Sequence, residues 1–143
     1  MLKDIDPLLS GELLKILDEM GHGDQLVLCD RNYPAVASGR PVIRLGDVSV
    51  LRAAQAILSV FPLDSFVEHP LERMEVNDDP STTTSLQNEL LELASQAESR
   101  PLQYGVIPRL AFYTRAKSVF AVVHTLEAQP YGCFILQKGV IFD

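Results

Sequence analysis

Long apolar runs are missing from this 143-residue chain. No uninterrupted stretch approaches the roughly 20 residues that a bilayer-crossing helix needs, so the sequence predicts no membrane span. Basic residues are scarce too: 12 Lys+Arg stand against 19 Asp+Glu, giving a net charge of −7 and a pI near 4.9. That balance argues against a nucleic-acid backbone or an anionic membrane surface as partner. The first 20 residues carry Asp4, Asp6, Glu12 and Asp18 among short apolar groups, leaving no h-region for an export signal. The two cysteines, Cys29 and Cys133, lie in apolar runs without CxxC spacing, which predicts buried thiols in a reducing compartment and a cytoplasmic location.

Cofactor signatures are absent as well. GxGxxG, GxxxxGK[ST] and GxSxG do not occur, so nucleotide cofactors and a serine nucleophile lose their usual support. His22, His69, His124, Cys29 and Cys133 include no pair at the short spacing of a zinc site, and no metal or other cofactor is expected. What remains is a chain 47% hydrophobic, long enough to form one domain over residues 1–143 and to bury roughly two-thirds of its unfolded surface. A small, weakly charged substrate suits such a protein.

The elements alternate. Leu13, Leu14, Ile16, Leu17 and Met20 fall at helical spacing after the start signals Asp6-Pro7 and Ser10, with Gly21 as the expected stop. Residues 25–30 read as a strand apolar on both faces, and residues 31–39 as a loop at its C-terminal end. Residues 41–45 form a second strand, and Leu51, Ala54, Ile57 and Leu58 one face of a helix that Pro62 stops. Residues 66–76 are ambiguous around Pro70; Ser81 or Thr82 is expected to cap a helix running to about Glu98. Residues 104–107 read as a strand, Pro108-Arg109 as a turn and residues 111–117 as a short helix. The β-rich runs 119–125 and 134–137 close the chain and are candidates for a hairpin. The fold class is therefore α/β: one domain with a mixed, mostly parallel sheet and helices on both faces.

Several polar residues stand out against this frame. His22, between Gly21 and Gly23, is either an exposed imidazole for acid–base chemistry or a helix-end residue favoured by the carbonyl dipole. Asp30 closes an apolar strand where open α/β sheets bind ligands, or else simply opens a turn; Asp24 reads as structural. Arg109 offers a donor fork for neighbouring hydroxyls, or is a surface arginine. Tyr131, Gly132 and Cys133 supply a phenol and a tight backbone at a strand start, an arrangement also ordinary for a strand start.

The segments EMGHGD (residues 19–24), RLAFYTRAK (109–117) and YGCFILQKGV (131–140) resemble the RbsD/FucU family of sugar-handling proteins, nearest its fucose-mutarotase branch. The resemblance spans nearly the whole chain and is weakest over residues 68–104. It implies a cofactor-free isomerase that interconverts the anomers of a reducing monosaccharide. His22 would be the proton donor, and Asp30, Arg109, Tyr131, Gly132 and Cys133 would bind substrate. It also implies a ring-like homo-oligomer, decamers being known in the family, with sites near subunit contacts. The alternatives are a D-ribose pyranase, a non-catalytic monosaccharide-binding protein and a metal-dependent isomerase or lyase. Two departures bear on substrate preference: Cys133 stands where the fucose branch usually has asparagine, and Arg31 and Tyr33 alter the loop after Asp30.

Overall fold

Strands β1 (Gln25–Cys29), β2 (Val42–Gly46), β3 (Leu71–Met74), β4 (Gly105–Ile107), β5 (Ala121–Thr125) and β6 (Phe134–Gln137) form one sheet in a computed structural model that describes residues 1–142. Their order is β2-β5-β1-β6-β3-β4. The pairs β1·β5, β2·β5 and β3·β4 are parallel; β6 runs antiparallel to both its neighbours, β1 and β3. The sheet is thus mixed and mostly parallel, as the alternation of elements predicts.

Helices cover both faces. Leu26 and Leu28 of β1 point into a core shared with α1 (Gly11–Glu19), α2 (Val50–Leu58) and α3 (Ser85–Glu98). Val27 and Cys29 point the other way, against Phe112 and Ala116 of α4 (Arg109–Ala116) and Tyr33 of the following loop. A strand buried on both sides needs the continuous apolar run that residues 26–29 provide. Each fully buried leucine, such as Leu13 or Leu26, contributes about 1.5–3 kcal/mol by leaving water.

Four local expectations are corrected. The runs ending in β5 and β6 do not pair as a hairpin, because β1 lies between them. Their connection crosses the end of β1: the Glu127 carbonyl accepts from Arg31 N, and its buried carboxylate accepts from Val50 N at the start of α2. Neither Ser81 nor Thr82 caps α3, since both hydroxyls donate to Asp79; Thr84 does so, in a capping box with Gln87. Pro108-Arg109 is not a turn. Phe112 N donates to the Pro108 carbonyl, and the helix opens at Arg109. Finally, α1 ends with Met20 already extended, and the left-handed residue of the following turn is Gly23 (φ 88°), not Gly21.

Candidate active site

The candidate residues divide between two opposite edges of the sheet. At the C-terminal ends of the parallel strands, Asp30 follows β1 directly. Because β6 is antiparallel, Tyr131, Gly132 and Cys133 arrive at the same edge immediately before it. The Asp30 carboxylate is buried and accepts from Asn32 N (3.0 Å), Gly132 N (3.1 Å) and Cys133 Sγ (3.4 Å). Burial first, and then Asp30 beside it, push the Cys133 thiol well up, so it stays protonated and able to donate. Tyr131 has left-handed backbone (φ 58°); its carbonyl accepts from Gln87 Nε2 (3.2 Å) and its phenol donates to Asn77 Oδ1 (2.8 Å).

Arg109 lies on the same edge, following β4. Its guanidinium sits 5.7 Å from the centre of the Tyr113 ring. Tyr113 meets Tyr33 edge-on at 5.7 Å, and Tyr33 N donates to the Asp30 carbonyl. An aromatic chain therefore links the arginine to the Asp30 loop.

His22 belongs to the other edge. Five strand residues separate it from Asp30, roughly 17 Å at the usual rise, which is further than one monosaccharide ring can bridge. Its imidazole is 48% exposed, and Nε2 lies 3.1 Å from Oδ1 of Asp64, whose side chain is 2% exposed. Asp64 also accepts from Phe66 N (3.0 Å) and Gln137 Nε2 (3.0 Å). Burial alone would raise this carboxyl, but those bonds and the His22 contact outweigh it and hold the group below its ordinary range. A carboxylate only accepts, so Nε2 is the donor in this contact, and in a neutral ring Nδ1 is then the nitrogen without a proton. The segment carrying Asp64 pairs with the end of β6 (Asp64 N to the Gln137 carbonyl, 3.0 Å). It passes so close to Gly139 that a Cβ there would fall 2.7 Å from the Asp64 Cα. Only glycine fits that crossing.

Sequence reasoning missed Asp64. Its one visible signal is a lone carboxylate in the run 60–67, which apart from Ser65 is otherwise apolar. Beside the dyad, Phe66 packs 5.4 Å from the His22 ring and 6.2 Å from Phe142, while Phe66, Ile141 and Phe142 are each about two-thirds exposed or more. A surface groove of about 520 Å³ between α2 and α3 lies apart from all these residues. Among the described residues, no three His, Cys, Asp or Glu side chains converge as a metal site requires, and no helix is long and apolar enough to cross a membrane.

Comparison with known proteins gives a consistent result. The profile of the RbsD / FucU transport protein family matches residues 3–141. An L-fucose mutarotase of Glaesserella parasuis is 40% identical over 140 residues, covering 98% of this chain and 96% of that one. The fucose mutarotase of Streptococcus pneumoniae, solved in complex with L-fucose, superposes with a TM-score of 0.90 at 34% identity, covering 99% of this chain and 100% of the other. Bacillus subtilis RbsD, solved with D-ribose, gives a TM-score of 0.78 at 25% identity with the same coverage.

Proposed function

The chain belongs to the RbsD/FucU family, and from that premise we propose that it is an L-fucose mutarotase whose proton carrier is His22. The observation that carries this reading is an exposed imidazole fixed through Nε2 by the buried carboxylate of Asp64. Mutarotation moves one proton from the anomeric hydroxyl to the ring oxygen as the hemiacetal opens. The aldehyde then rotates and the ring closes on its other face. Nδ1 of His22 takes the hydroxyl proton and, as imidazolium stabilised by Asp64, returns it to the ring oxygen; no electrons are exchanged, so no redox partner is required. Asp30, Arg109, Tyr131 and the segment of Gly132 and Cys133 orient the sugar hydroxyls.

The two halves of this machinery lie too far apart to serve one sugar within a single subunit, which supports a homo-oligomer in which the dyad edge of one copy meets the Asp30 edge of the next. Such a contact joins two different patches and closes into a ring when its rotation permits. The exposed Phe66, Ile141 and Phe142 beside His22 supply the apolar surface that a subunit contact would cover.

Saturation-transfer NMR on L-fucose tests the activity directly. Protein dialysed against chelator is expected to accelerate α/β exchange unaided, and activity lost in chelator and regained with one divalent metal would overturn the cofactor-free mechanism. D-ribose in the same assay tests the pyranase alternative. Cys133→Asn is expected to change the ratio of fucose to ribose rates, because an amide both donates and accepts where the buried thiol donates weakly. Equal ratios in the two proteins would mean that the side chain at 133 does not read the sugar.

A further inference from the structure

We propose that Asn77 is a positioning residue for the reaction: its side-chain carbonyl captures the Tyr131 phenol proton, so that the phenolic oxygen presents its lone pairs to a sugar hydroxyl. This rests on the reading of Tyr131 as a sugar-contacting residue. The Tyr131 O–H donates to Asn77 Oδ1 at 2.8 Å. A phenol has one proton, so a phenol that donates to Asn77 can only accept from substrate. Asn77 therefore decides the direction of the hydrogen bond as well as the place of the ring.

The support for Asn77 is built rather than incidental. Asn77 (φ 51°) and Asp78 (φ 59°) occupy the two central positions of a tight turn closed by Asp79 N on the Val76 carbonyl (3.0 Å), and consecutive left-handed residues define the hairpin-type turn. The loop beyond it is pinned. Asp79 accepts from Ser81 N (2.9 Å), Ser81 Oγ (2.7 Å) and Thr82 Oγ1 (2.7 Å). The buried Arg73 donates to the Pro80 carbonyl at 2.9 Å while stacked 5.9 Å from the Tyr104 ring. The fully buried Gln87 in turn holds the Tyr131 carbonyl (3.2 Å) and the Met74 carbonyl at the end of β3 (3.0 Å). Tyr131 is thus gripped at both its backbone and its phenol, in a left-handed conformation that a bulky residue seldom adopts. Such over-determination suits a group whose orientation matters to the chemistry.

The test uses the full chain and three variants, each assayed for L-fucose anomer exchange, melting temperature and oligomer size. Asn77→Gly keeps the left-handed turn at no steric cost but removes the acceptor, and Asn77→Asp tolerates the turn and retains it. Asn77→Gly is expected to fold and assemble as the parent does yet exchange anomers about ten- to a hundredfold more slowly, since a misplaced contact group costs up to about 10² in rate. Asn77→Asp is expected to return to within about threefold of the parent rate, and Tyr131→Phe to lose at least as much as Asn77→Gly. An unimpaired Tyr131→Phe would overturn both the sugar-contact reading and this proposal. An impaired Tyr131→Phe with an unimpaired Asn77→Gly would overturn the proposal alone. A loss in Asn77→Gly that Asn77→Asp fails to restore would do the same, because the turn rather than the acceptor would then matter.

Discussion

His22→Ala should slow anomer exchange by about 10² to 10⁴, the usual worth of a positioned acid–base group, while leaving the fold and the oligomer intact. The imidazole is half exposed, and its polar partner among the described residues is Asp64. Removing it leaves Asp64 still bonded to Phe66 N and Gln137 Nε2, so no buried charge is orphaned. The cost in stability is therefore that of one hydrogen bond to a carboxylate, at most about 1.5–3 kcal/mol and reduced by solvent screening of the half-exposed ring. Saturation-transfer rates and melting curves on the same samples separate the two effects. Asp64→Asn gives the companion result. An amide can hold the ring but cannot stabilise the imidazolium by charge, so exchange should fall while His22 stays in place. A His22→Ala protein exchanging at the parent rate would make His22 a spectator and require another proton carrier.

Much of this was legible in the chain itself. His22 was visible because Gly21 and Gly23 isolate it at the junction of a helix and a strand, and Asp30 because an apolar run ends on it. Arg109 and residues 131–133 gained meaning only through the family resemblance, since alone they read as a surface arginine and a strand start. Asp64 stayed hidden for a physical reason. Its partner His22 is 42 positions away, and the two are brought together by the pairing of the Asp64 segment with the end of β6. Local periodicity carries no information about such pairing. The same blindness produced the expected hairpin: residues 119–125 and 134–137 show β character, but nothing in them says that β1 will lie between them. Asn77 carries no sign in the sequence that the fold brings Tyr131 to it. Proximity in the chain is no guide at the site either. His22 and Asp30 are close in the chain, yet the strand between them sends them to opposite edges of the sheet.

Mixing two inactive proteins should therefore restore activity. His22→Ala destroys the dyad edge and leaves the Asp30 edge whole; Asp30→Asn does the reverse, removing the charge while keeping a side chain of the same size for Gly132 N and Cys133 Sγ to approach. Each variant alone should exchange L-fucose at least about 10²-fold more slowly than the parent, as expected when a proton carrier or a charged, substrate-bonding group is lost. If a site takes its histidine from one copy and its aspartate from the next, random reassembly of a 1:1 mixture pairs two intact halves at about a quarter of all contacts in a closed ring. The mixed sample should recover roughly that fraction of the parent rate after the subunits are dissociated and reassembled, and none before. The signal is large because the background of either variant is so low. Melting curves on each variant before mixing establish that both are folded, so that recovery is not folding rescue. A reassembled mixture that stays as inactive as its components, with size measurements showing mixed oligomers, would mean that one subunit holds the complete site, and the roughly 17 Å between His22 and Asp30 along β1 would have to be closed by movement within the chain.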